Sequence, residues 1–218
     1  MKAMKMPLKY LIRISIVVLL IISISSCQSW HGAKEVLVEA DSLLANGVIM
    51  RDTAALAASI RTLDNFIGRV CEKDKLAKAY YLMGRNLDDY HHNFADAADY
   101  YIKADRLKTK DLIFRGRINS CMGYLCKQDS CFEEALVFYE RSSKSFKTSG
   151  NEWYYAHNLL NLAEVYVNLQ QYEKVDSILQ LASTYEIDSA YYANVMDVKS
   201  MAFFNQQMYD SVRIYLSS

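Results

Sequence analysis

The residues best able to do chemistry lie mid-chain: Cys121, Cys126 and Cys131, spaced C-x4-C-x4-C. That is not a usual zinc spacing. Cys121 and Cys126, five apart on one helix, would point about 140° apart around its axis. They cannot serve one ion without distortion, so no metal is expected. Two readings stay open. One is half-buried small apolar residues, since free cysteine behaves as a small hydrophobe. The other is a Cys126–Cys131 disulfide across a hairpin loop. The redox state of Cys71 is equally open in a compartment that permits disulfides.

The remaining reactive groups are dispersed. His91 and His92 precede Asn93 in a loop, with no carboxylate or cysteine at ligand spacing. Asp88 with Asp89, and Asp96 with Asp99, read as the solvated face of amphipathic helices rather than as an acid–base pair. No G-x-G-x-x-G, P-loop, H-E-x-x-H or G-x-S-x-G occurs. Nowhere do a nucleophile, a base and an orienting group come together. The expectation is a protein without catalytic residues or cofactor.

The elements that would position these groups are helices. The single proline of 218 residues is Pro7, and there are only 7 glycines. A chain that poor in helix breakers favours long helices over strands and turns. Residues 33–73 read as a leading pair of helices. Val36, Leu37, Ala40, Leu43 and Leu44 form one apolar stripe; Leu56, Ile60, Leu63, Phe66, Ile67 and Val70 form another. Asn46-Gly47 is expected to break the first, and Asp52 or Thr53 to cap the second.

The N-terminal 26 residues are of a different kind. Lys2, Lys5, Lys9 and Arg13 stand without an acid, followed by the apolar run Ile14 to Ile22. That is a basic n-region and an h-region of signal-peptide length, too short for a comfortable transmembrane helix. The segment ends Ile24-Ser25-Ser26-Cys27, which resembles a bacterial lipobox. The resemblance implies cleavage before Cys27, lipidation of Cys27, and a membrane-anchored body reached through a short linker, residues 27–32. With no aspartate after Cys27, the resemblance points to the outer membrane, facing the periplasm. Removing residues 1–26 leaves 21 bases against 25 acids, a net charge of −4. No basic patch dominates, and nucleic acid is not an expected partner.

Internal repeats run through residues 74–218. Tyr80, Tyr81, Gly84 and Leu87 precede Phe94, Ala97 and Tyr101. Asn119, Met122, Gly123 and Cys126 precede Phe132, Ala135 and Tyr139. Leu159, Leu162, Ala163 and Tyr166 precede Tyr172, Val175 and Leu179. A weaker fourth copy holds Met196, Ser200, Phe203, Tyr209, Val212 and Leu216. Small residues at matched places let two helix axes approach closely while aromatics fill the groove beside them. The pattern resembles the tetratricopeptide repeat (TPR), and with the lipobox it is similar to the TPR lipoproteins common in Bacteroidetes. The resemblance implies an all-α, right-handed superhelical solenoid of antiparallel helix hairpins, at about 74–110, 111–150, 151–187 and 188–218. In the last copy Tyr209 to Ser218 is expected as the second helix, with no capping helix after it. One member of each tyrosine doublet (80/81, 100/101, 154/155, 191/192) is expected in the core and the other outside.

The resemblance also proposes a site. In the family the first helix of each hairpin lines a concave groove. Carried over, this gives Lys78, Tyr81, Arg85, Asp88 and Asp89; then Arg117, Ser120, Tyr124, Lys127 and Gln128; then His157, Leu160, Glu164, Val167 and Asn168. The implied function is a scaffold that holds a protein or peptide partner of some acidic character. Two rivals stand beside it. One is a glycan-binding lipoprotein of a nutrient-uptake system. The other is the sensory half of a signalling protein that continues past Ser218.

Overall fold

A computed structural model of the chain describes residues 32–89 and 92–217, with side chains as far as 207. The leader, Cys27 and His91 lie outside the described residues. Every regular element among the described residues is an α-helix. In chain order they are α1 (Ala33–Met50), α2 (Thr53–Ile67), α3 (Lys73–Asp89), α4 (Phe94–Arg106), α5 (Leu112–Gln128), α6 (Phe132–Ser149), α7 (Glu152–Asn168), α8 (Tyr172–Ala182) and α9 (Ser189–Ser217). They form two compact units, one ending at Asn93 and one beginning at Phe94.

In the first unit, α1 and α2 form a hairpin and α3 packs on both. The apolar stripes read from the sequence supply the core: Leu37, Ala40 and Leu44 from α1, Leu56, Leu63 and Phe66 from α2. Asp52 caps α2, accepting from the backbone N–H of Ala54 at 2.9 Å and of Ala55 at 3.2 Å. Gly47 does not break α1. The helix runs one turn further and ends on Arg51, whose φ is 53°. Gly47 is buried inside the helix because a Cβ there would lie 2.5 Å from Leu56 Cγ. The glycine marks a close helix contact, and its helix-propensity cost of about 1 kcal/mol is the cost of that approach.

A polar relay crosses the same core. Asn86 Nδ2 on α3 donates to Ser59 Oγ on α2 at 2.9 Å, and Ser59 Oγ donates to the Ala40 carbonyl on α1 at 2.9 Å. Both side chains are fully buried. Buried polar groups require such partners.

In the second unit, hairpin α5–α6 packs on hairpin α7–α8, and α9 packs on α7 and α8. Gly123 of α5 faces the Tyr139 ring, where a Cβ would stand 3.0 Å from the ring carbons. The small residue of the repeat therefore receives an aromatic rather than the small Ala135. Helix starts follow the capping rule. Asp111 accepts from Phe114 N, Asn151 from Tyr154 N and Asp188 from Tyr191 N.

The two hairpin turns are alike. Ser130 has φ 60° and Gln170 has φ 57°. Cys131 N donates to Cys126 O at 2.8 Å, and Gln171 N donates to Tyr166 O at 2.9 Å. Each closes a helix with the left-handed residue that is usually glycine.

The fourth hairpin does not form. α9 is one unbroken helix from Ser189 to Ser217, so the second helix expected at Tyr209 to Ser218 is instead a continuation of the first. Phe204-Asn205-Gln206-Gln207 contains neither glycine nor proline, and none of these residues takes positive φ. On α7, Leu159 and Tyr166 are buried in a core with Val175 and Leu179 of α8. Their counterparts on α9, Met196 and Phe203, stay exposed. Of the tyrosine doublets, Tyr191/Tyr192 splits as expected into a buried and an exposed ring, whereas Tyr81 and Tyr101 are buried and their neighbours Tyr80 and Tyr100 are half-buried rather than outside. Tyr154 and Tyr155 are both half-buried.

Candidate functional site

The first helices of the second unit's hairpins, α5 and α7, carry the groove residues proposed from the sequence. On α5, Arg117, Ser120, Tyr124 and Lys127 recur at three and four, which puts them on one face. On α7, His157, Glu164 and Asn168 share a face in the same way. The structure brings the two stripes together. Lys127 Nζ on α5 forms an ion pair with Glu164 Oε2 on α7, and the Lys127 ammonium lies 5.9 Å from the Tyr124 ring centroid. Tyr124 itself is exposed. Asn168 Nδ2 donates to the Glu164 carbonyl of its own helix at 2.8 Å.

One residue of this face was missed. Trp153 lies one turn before His157, and 48% of its surface is exposed. Its ring stacks on His157 with centroids 3.9 Å apart, and meets Tyr154 edge-on at 5.0 Å. His157 Nδ1 lies 2.8 Å from the Trp153 carbonyl. The Arg117 guanidinium stands over Tyr154 at 5.8 Å, within reach of a cation–π contact. The signal was available: extending the His157–Glu164–Asn168 stripe back by four residues lands on Trp153.

Other assignments need correction. Leu160 and Val167 are buried, packed in a core with Tyr191 and Val195, and offer no groove surface. In the first unit Tyr81 is only 2% exposed, so its ring is closed to a partner. Its hydroxyl accepts from Arg85 Nη1 at 3.2 Å. Arg85 Nε also donates to Asp89 Oδ2 at 2.7 Å, so the guanidinium and the carboxylate satisfy one another on α3. Lys78 is half-buried on the same helix.

The Cys126–Cys131 disulfide is not formed; both thiols are free. Cys131 is exposed, and its Sγ lies 3.7 Å from the Asp129 carbonyl. Cys126 packs beside Ala135, Tyr139, Leu162 and Val165. Burial first, and then the neighbouring Cys131, raise its thiol pKa above the ordinary value.

The resulting face holds two exposed aromatic rings, a bridging ion pair, an imidazole and a guanidinium. It offers contact area and hydrogen bonds to an extended chain, and nothing on it is arranged as nucleophile and base.

The fold is that of a TPR-like helical-repeat protein. A Podosopora anserina kinesin light chain protein of nearly identical TPR-like repeats superposes with a TM-score of 0.60 at 10% identity, covering 84% of this chain and 95% of that one. A single-substitution variant of the same protein gives 0.62 at 8% identity, with 85% and 96% covered. BtubC (BKLC) from P. vanneervenii gives 0.55 at 14% identity, with 87% and 94% covered. No protein-family model matches the chain, and no curated protein matches it by sequence.

Proposed function

We propose that the chain is a lipid-anchored interaction scaffold that holds a peptide or protein partner against the α5–α7 face. The observation that carries this reading is two exposed rings on neighbouring first helices, Tyr124 on α5 near the Lys127–Glu164 pair and Trp153 three turns before Glu164 on α7. Large aromatics with few rotatable bonds give much contact area at small entropic cost, and such residues dominate binding energies. The TPR-like fold of the neighbours agrees with a binding role. Anchoring rests on the basic Met1–Arg13 segment, the apolar run after it and the Ile24-Ser25-Ser26-Cys27 ending. On this reading Cys27 carries the lipid and the body faces the periplasm from the outer membrane. Two acyl chains on one residue would hold it stably, as a single chain would not.

The test is partner capture from detergent-solubilised membranes. Trp153→Ala with Tyr124→Ala should lower recovery of a specific partner by tenfold or more, while Glu173→Ala, an exposed change on α8, should not. Equal recovery from all variants would remove the face from consideration. Cys27→Ala should abolish fatty-acyl labelling and release the protein from the membrane fraction; retained labelling would overturn the lipid assignment.

A further inference from the structure

A second feature of the same unit lies on a different side of α5. A cleft of about 660 Å³ opens between α4, α5 and α6. Four cations line it: Lys108 just after α4, Arg115 on α5, and Arg141 and Lys144 on α6. Among the described residues that line it, Asp105 is the only acid. None of the four cations takes part in an ion pair seen among the described residues. Arg115 and the groove-facing Tyr124 are nine residues apart, which puts them about 180° apart around α5. The cleft is therefore not part of the proposed partner face.

Like charges gathered around one cavity repel, and a chain with no net charge at pH 7 has no general excess that would place them there. The local field attracts anions. The volume falls in the range of about 300–1,000 Å³ typical of small-molecule sites. The neutral polar walls add little. Ser145 Oγ already donates to the Arg141 carbonyl and Thr148 Oγ1 to the Lys144 carbonyl. Those hydroxyls present only lone pairs, so binding falls to the cations. Two guanidiniums supply planar donor forks that match phosphate oxygens, and two ammoniums supply point charge. Arg141 is braced over the Phe138 ring at 5.7 Å. A single monoanion would leave most of the charge unanswered.

We propose that the α4–α5–α6 cleft is a binding site for a small polyanion carrying two or more phosphate groups. A free phosphorylated molecule suits a cavity between three helices better than a lipid headgroup fixed in a flat surface.

Calorimetric titration of the full chain with inorganic pyrophosphate and tripolyphosphate tests this. Saturable binding of one anion per chain is expected, at least tenfold weaker in Arg115→Gln/Lys144→Gln and unchanged in Lys127→Gln. Circular dichroism checks folding; if the double variant unfolds, the Arg115→Gln and Lys144→Gln single variants are titrated against the same criterion. The absence of saturable binding, equal affinity in the cleft variants, or equal weakening by Lys127→Gln would overturn the site. So would co-sedimentation with anionic phospholipid vesicles that depends on Arg115 and Lys144 without any pyrophosphate binding.

Discussion

The Phe146 ring on α6 fills the place of the missing side chain at Gly116 on α5: a Cβ built on Gly116 would lie 2.4 Å from Phe146 Cε1. Seven residues on, Gly123 receives Tyr139, seven residues before Phe146, so the hairpin closes through two glycine–aromatic contacts at matching intervals. Phe146 cannot retreat easily. It is 2% exposed and stacks on Tyr154 with centroids 5.0 Å apart.

Gly116→Ala should therefore destabilise the chain even though alanine is the better helix former. Propensity favours alanine by about 1 kcal/mol, but overpacking a fixed core costs about 1–3 kcal/mol. The double change Gly116→Ala/Phe146→Leu should be less damaging than the two single losses combined, because leucine vacates the space the new methyl enters. Urea unfolding followed by circular dichroism measures all three. A stabilised Gly116→Ala would show that the contact yields.

The relay from Asn86 through Ser59 to the Ala40 carbonyl links three helices of the first unit. Ser59→Ala removes the middle hydroxyl and leaves an amide donor and a carbonyl without it in a dry core. The expected loss is about 1–3 kcal/mol, the penalty for stranding buried polar groups. Asn86 Oδ1 has no hydrogen-bond partner among the described residues, so Asn86→Leu should cost less than its burial suggests. Chemical denaturation of the two variants separates these outcomes.

What the sequence made legible, and what it hid, follows from the same contacts. Hairpins α5–α6 and α7–α8 were readable because Gly123 and Ala163 sit at fixed distances from their aromatics, a pattern that only close packing explains. Their turns were not, since Ser130 and Gln170 take left-handed backbone that glycine would have advertised. Gly47 misled in the opposite sense, because a glycine wanted for close approach looks like one wanted for a stop. The continuity of α9 was hidden because the expected turn rested on repeat spacing, with no breaker residue to enforce it. For the site, the family resemblance put candidates on α5 and α7, and the structure brings two of them, Lys127 and Glu164, into contact. The resemblance could not tell that Tyr81 and Leu160 are core, because helical spacing fixes a face without saying what covers it.

Two buried phenols set the response to alkali. Tyr191 donates to the Ala182 carbonyl at 3.0 Å, and burial pushes its pKa from 10.0 up to about 12. Burial also raises Tyr139, whose hydroxyl has no hydrogen-bond partner among the described residues. Both are neutral in the fold and ionise more readily when unfolded. Their contribution is thus complete below pH 10 and is lost as pH climbs through the folded values, by about 1.4 kcal/mol per pH unit for each phenol. Denaturation midpoints should fall steeply above pH 10, with a burst of phenolate absorbance on unfolding. Tyr139→Phe should shallow that slope and leave neutral-pH stability equal or higher, since it deletes an unpaired buried hydroxyl.

The two thiols at the α5–α6 turn should differ in reactivity, because the thiolate is the nucleophile. Cys131 is exposed at the start of α6. Cys126 is half-buried, and its pKa is raised by that burial and by Cys131 beside it. At neutral pH fewer Cys126 thiols are ionised, and those that are remain harder to reach. Maleimide labelling of the folded chain, read by peptide mass spectrometry, should modify Cys131 well before Cys126. Denaturant should bring the two rates together. If Cys126 instead reacts first in the folded protein, the packing of its side chain against Tyr139 and Val165 is wrong.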